Sequence, residues 1–373
     1  MSGRKSSTVG GLDWQGKRVL VTGASGFKGA WLCEVLLSLG AEVTGIAGHV
    51  ANPVSSFSLF GLDKKMTTMS ADISVYQETA DVLNAVDPDA IFHLAAKAQV
   101  PVALRDPKRT FSVNVMGTLN ILEACRVLGV GGRLLVISTD HVFGNVEPED
   151  LPDGGFKETA PVTFSGPYDT SKSAMELCVR SYHANYASEL PAIGITRAAN
   201  VFGFGDVATR RVIPRFLRSG FDKREIPLSC RENGRQFIDV ADIVEGYIRA
   251  SAALVHDADR VETFHFAIQK YPESTEGRNF VRMRELADLC KSLFDGAKVV
   301  ETPDCQDWAP HENKQQALNC DATSGRLGWH PRTGLREGLL ELKEWYDPRL
   351  ESSRSTLINR KVDVVVKHLR AGN

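Results

Sequence analysis

Thr22-Gly23-Ala24-Ser25-Gly26-Phe27-Lys28-Gly29 stands directly after the apolar run Arg18-Val19-Leu20-Val21 and directly before an amphipathic stretch that begins Ala30-Trp31-Leu32. Its glycines fall at a GxxGxxG spacing, and each answers a different need. Gly23 turns the chain sharply, Gly26 lets backbone amides approach a pyrophosphate, and Gly29 lets the following helix pack close to the strand. A helix that opens here points its amino terminus at those phosphates. Ser25, Phe27 and Lys28 complete a loop expected to hold a dinucleotide. A turn that binds nothing would not need a strand before it and a helix behind it.

Outward from this loop, short β-branched runs alternate with helical periods. AEVTGI, AIFHLAA, LLVIST around Val136 and AIGITRAAN around Ile195 read as strands, and the longer segments between them as helices. That wiring predicts an α/β fold, a Rossmann-type doubly wound parallel sheet with a smaller mixed α/β substrate-binding lobe. The expected division is a flexible tail over 1–16, a dinucleotide-binding domain over 17–200 plus 236–270, a substrate lobe over 201–235 plus 271–346, and a charged carboxy-terminal appendage over 347–373. In this division VADIVEGYIRAS returns a helix to the first lobe.

Composition narrows the function. Lys plus Arg number 44 against 46 Asp plus Glu, a formal net charge of -2, so no broad field draws nucleic acid or an anionic membrane. Seven single cysteines, with no CxxC pair, suit neither a disulfide framework nor a zinc knuckle. No metal site is expected. MSGRKSSTVGGLDWQG has no apolar run that could serve as a secretory signal, and no segment approaches the roughly 20 apolar residues of a membrane span, so a cytoplasmic protein is expected.

The second strand ends in Ile46, Ala47, Gly48 and His49, without the acid that holds a ribose 2'-hydroxyl in NAD sites; NAD is expected and NADP stays open. Asp72, with Ile73 beside it in SADIS, is either an adenine-edge contact or an ordinary turn former. Leu94, Ala95 and Ala96, small or apolar groups at a strand end, either admit the cofactor closely or pack a tight core.

Tyr168-Asp169-Thr170-Ser171-Lys172 puts a phenol and an ammonium one helical turn apart on one face. A phenol titrates near 10 in water, so it acts as a base only where a cation stabilises the phenolate, which Lys172 and a nicotinamide ring would supply. Upstream, Ser138-Thr139-Asp140-His141 follows a buried strand at the sheet edge where such folds keep their ligands, and Thr139 would orient the hydroxyl that Tyr168 deprotonates.

In this order GxxGxxG, HLAA, the strand-end Ser-Thr, YxxxK and RAANVFG resemble the extended short-chain dehydrogenase/reductase family. Within it, GASGFKGAWL at Gly23 to Leu32, NPVSSFSLF at Asn52 to Phe60, NVMGTLNILEA at Asn114 to Ala124 and LGWHPRTGLREGL at Leu327 to Leu339 are similar to the CDP-glucose 4,6-dehydratase group of nucleotide-sugar 4,6-dehydratases. The resemblance implies a nucleotide-diphosphate hexose as substrate, a homodimer, and an NAD cycle without net oxidation that gives a 4-keto-6-deoxy sugar. It puts Asn114 at the cofactor and Asp140 at the acid that protonates the departing 6-hydroxyl, a carboxyl that burial would keep protonated.

His141 departs from the family, which carries Glu or Lys here. A neutral imidazole can take the carbon 5 proton, or the ring can simply pack in a loop. Asn200 and Arg235 match the family's substrate contacts, although Gly234-Arg235-Gln236-Phe237 and Ala199 differ from the CDP group. Lys97 lies near the sugar or snorkels at the surface, and Arg210 and Arg211 are either phosphate contacts or a solvated face. A 4-epimerase or 4-keto reductase on the same scaffold would need only Tyr168 and Thr139. A non-catalytic dinucleotide sensor would need neither Tyr168 nor Lys172.

Overall fold

The computed structural model describes residues 13–47, 52–256, 260–274, 277–302 and 313–371. Seven strands form one sheet: β1 (Arg18–Thr22), β2 (Glu42–Ile46), β3 (Thr67–Met69), β4 (Ala90–His93), β5 (Arg133–Ile137), β6 (Ala192–Ala198) and β7 (Glu262–Phe266). Their order is β7-β6-β5-β4-β1-β2-β3 and every pairing is parallel. A parallel sheet covered on both faces buries nearly every side chain, so its strands read as continuous apolar runs. β4 and β6 are buried along their whole length. This is the expected Rossmann-type doubly wound sheet.

Helix α1 (Phe27–Ser38) and the long helix α2 (Pro167–Tyr186) cover opposite core clusters of the sheet. Helix α3 (Val240–Ala253) lies against α1. Away from the main sheet, short strand pairs join Asn200–Phe202 to Phe237–Asp239, Glu225–Leu228 to Lys298–Glu301, and Gly234–Arg235 to Val281–Arg282. The third pair is antiparallel, which makes this region mixed.

Both chain ends differ from expectation. Residues 1–12 lie outside the described residues, but Trp14, expected in a flexible tail, is buried, its ring centroid 5.9 Å from that of Phe92. Nor is the carboxy-terminal stretch an appendage. Its helix α4 (Arg354–Ala371) packs on α1 and α3 and buries Ile358, Val362, Val365, Val366 and Leu369. Its many charges hide an apolar stripe of helical period, and Lys361 on the same helix reaches the buried Asp239 at 2.9 Å.

Candidate active site

Strands β1 and β4 lie side by side although two strands, β2 and β3, separate them in the chain, so the order of the sheet reverses between them and a crevice opens at their carboxyl ends. The glycine loop fills one lip of it. Gly23 has φ +72°, and a Cβ there would stand 2.9 Å from Ala95 Cα. A Cβ on Gly29 would stand 2.2 Å from Gly23 O, so helix and loop touch backbone to backbone. The first turn of α1 has Gly26 as its cap, with no side chain bonded to it. Beneath the loop, Thr22 Oγ1 meets His93 Nδ1 at 2.8 Å and His93 Nε2 meets Thr118 Oγ1 at 2.9 Å. Burial first, then Lys172, lowers His93 to about 3, so the ring stays neutral and serves as a strut between strand ends.

Cations gather at this crevice. Lys28 Nζ donates to the Tyr247 hydroxyl at 3.2 Å and is lowered to about 8 by burial and by Arg211. Lys172 is lowered to about 7 by burial and by Lys28. Arg211 covers the Phe27 ring and pairs with Asp206 at 2.9 Å. A glycine cradle that no side chain can enter, beside crowded cations, fits a dinucleotide diphosphate. Asp72 is held in a turn: Oδ1 accepts from Ser74 N at 3.0 Å and from Ser74 Oγ at 2.7 Å, and Oδ2 pairs with Arg109 at 2.6 Å. Ile73 beside it is buried, Leu94 and Ala96 are half-buried, and Gly48 and His49 lie outside the described residues.

The catalytic candidates converge. Ile137 ends β5, Thr139 caps a short helical turn over Asp140–Phe143, and its Oγ1 accepts from His141 N at 3.3 Å and donates to Asp140 Oδ1 at 3.1 Å. From α2 comes the buried Tyr168 phenol, whose proton affinity the Thr139 hydroxyl lowers. Burial pushes this phenol up; Thr139 opposes that, and Asp140 and Asp169 reinforce it. Lys172 Nζ donates to Ile137 O at 2.6 Å. The chain's own groups therefore leave Tyr168 protonated. Asp140 is 5% exposed, and its Oδ2 has no hydrogen-bond partner among the described residues. Burial raises its pKa against the pull of His141, Thr139 and Arg235.

Asn114 sits in a π-type turn over Ser112–Met116 and is buried. Its Oδ1 accepts from Lys97 N at 2.8 Å, and its Nδ2 donates to Ser171 Oγ at 2.9 Å; Ser171 in turn donates to Tyr168 O at 2.7 Å. It thus joins the β4 loop to the Tyr168 turn. Lys97 itself is exposed. Arg235 is buried, and its guanidinium donates to Gly234 O at 2.8 Å and to the Asn313 carbonyl. A phosphate would have to exchange with these carbonyls. Asn200 Nδ2 donates to Gln236 O at 3.3 Å, and Arg210 is exposed.

Two residues of the cluster escaped the reading of the sequence. Asp169 follows Tyr168 and therefore points to another face of an isolated helix, yet its Oδ1 lies 2.9 Å from His141 Nδ1. Asn313 Nδ2 stands 3.2 Å from the same nitrogen, across 172 residues of chain. The acidic residue in YDTSK was a local signal; Asn313 had none.

A family model described as the NAD-dependent epimerase/dehydratase family matches residues 19–281. The chain is 31% identical over 345 residues to a CDP-glucose 4,6-dehydratase of Salmonella typhimurium, covering 89% of this chain and 91% of that protein. It is 27% identical to a dTDP-glucose 4,6-dehydratase of Streptomyces niveus, over 88% of this chain and 92% of the other. The solved dTDP-glucose 4,6-dehydratase of Streptomyces venezuelae with NAD and TYD bound superposes with a TM-score of 0.74 at 25% identity, over 90% of this chain and 98% of that one.

Proposed function

The chain belongs to the NAD-dependent epimerase/dehydratase family, and from that premise we propose that it is a nucleotide-sugar 4,6-dehydratase with a CDP-hexose as the first substrate to test. One observation carries the choice of dehydration over epimerisation or reduction. Asp140 is a buried carboxyl with a partnerless oxygen, pushed toward its protonated form and placed beside Thr139 and Tyr168. An epimerase or a ketoreductase has no use for such an acid; water elimination requires one.

Bound NAD would supply a hydride acceptor that returns the hydride at the end of the cycle, together with further positive charge near Tyr168. Gly23, Gly26, Gly29 and the first turn of α1 hold its diphosphate, with Ser25, Phe27 and Lys28 alongside. Tyr168 and Thr139 receive the 4-hydroxyl of the hexose, and Tyr168 removes its proton. His141 takes the carbon 5 proton, made acidic by the neighbouring ketone, and Asp140 gives its proton to the departing 6-hydroxyl. Arg235 and Asn200 face the nucleotide diphosphate. Exposed Leu177 and Tyr186 on α2, with Val127 and Leu128 on the helix packed against it, support a homodimer through these helices.

The test is incubation with CDP-, dTDP-, GDP- and UDP-hexoses in the presence of NAD, followed by mass spectrometry. Loss of one water is expected for at least one of them. A sugar of unchanged mass but altered stereochemistry, stoichiometric consumption of reduced cofactor, or no change in any substrate overturns the proposal.

A further inference from the structure

His141 has no acidic residue beside it in the chain except Asp140, yet the fold delivers a second carboxylate to its ring. The pair joins two elements: the turn after β5 carries the imidazole, and the first turn of α2 carries Asp169, which is 2% exposed. Asp169 Oδ1 and His141 Nδ1 are 2.9 Å apart. The His141 ring also stands edge-on to Tyr168, with centroids 5.5 Å apart, so the imidazole and the phenol border the same space.

An ionised carboxylate only accepts hydrogen bonds, so Nδ1 must carry the proton shared with Asp169. Asn313 fits this arrangement once its amide is turned over: its Nδ2 is 3.2 Å from Nδ1, its Oδ1 is buried with no partner among the described residues, and the flip brings that oxygen onto the Nδ1 proton. In a neutral ring with Nδ1 protonated, the basic lone pair is on Nε2.

Resting on the dehydratase reading above, we propose that Asp169 is the positioning residue of His141: its carboxylate fixes the Nδ1-protonated tautomer and the ring orientation, so that Nε2 takes the carbon 5 proton. The base of this enzyme is then a His–Asp pair assembled from two elements. The proton moves from carbon 5 to Nε2 while Nδ1 keeps its own, and Asp169 stabilises the imidazolium without being protonated.

The test reads tautomer and turnover separately. The NAD-bound full chain is labelled with 15N-histidine and His141 is assigned by difference from His141→Gln. Its Nδ1 should resonate in the protonated range and its Nε2 in the unprotonated range, and Asp169→Asn should mix or reverse that pattern. Asp169→Asn should lower kcat by about 10²–10⁴-fold while the KM for the nucleotide hexose and the affinity for NAD hold within about twofold. An Nε2-protonated His141 in the unsubstituted enzyme overturns the proposal whether or not the variant folds, and so does a folded Asp169→Asn with undiminished kcat. If no nucleotide hexose loses water, the dehydratase reading fails, and the spectrum still decides the pair.

Discussion

Burial sets the charges around Tyr168. Burial lowers Lys172 to about 7, so that its amine is only partly charged at pH 7 and turns to the Ile137 carbonyl, and the phenol is raised rather than lowered. A YxxxK spacing therefore establishes that the two groups share a helix face, not that the amine activates the phenol. Tyr168→Phe should cut turnover by about 10²–10⁴-fold with NAD affinity retained, read by dehydration rate and a cofactor titration. Asp140→Asn keeps the shape but cannot give up a proton from a carboxyl; water release should fall over the same range of about 10²–10⁴-fold, with nucleotide-hexose binding intact by calorimetry.

The glycine loop and α1 form a single unit whose tolerance is small. In Gly29→Ala the added carbon meets the Gly23 carbonyl and Ala24 Cα, both backbone atoms that cannot swing aside. Overpacking of this kind costs about 1–3 kcal/mol, and the displaced loop should show it as a lower Tm and a weaker affinity for NAD. Helix α3 carries a different constraint. Asp242 accepts from Arg332 N at 3.1 Å and from Thr333 N at 2.9 Å, and burial, then Asp239, raises it from 3.8 to about 7. An acid raised on folding contributes its stability below its unfolded pKa and loses it as pH climbs through the folded value. Asp242→Asn removes that titration, so between about pH 4 and pH 7 the variant should gain in Tm relative to the parent protein; a flat difference would refute the assignment.

Across the whole molecule, the last helix closes the core. Five apolar side chains of α4 are buried against α1 and α3, and Lys361 compensates the buried Asp239. At about 1.5–3 kcal/mol for each such side chain, their sum rivals the 5–15 kcal/mol that holds a typical domain together. A chain cut before Pro348 should lose its cooperative melting transition and aggregate on size exclusion, whereas a true appendage would leave both unchanged.

The parallel sheet, the dinucleotide cradle and the order of Thr139, Asp140, Tyr168 and Lys172 were legible in the sequence because they rest on local rules. Strand runs, glycine spacing and one helical turn act within about ten residues of chain. What sits beside His141, which way Arg235 and Lys172 donate, whether Asp72 is bound in a turn, and where the last helix lies were decided only by tertiary structure. Each depends on groups brought together from distant positions, as when Asn313 reaches His141, or on desolvation. The sequence alone therefore determined the kind of fold and the candidate side chains at its crevice, and packing determined their charges and partners, because a proton's affinity depends on the surroundings that the folded chain creates.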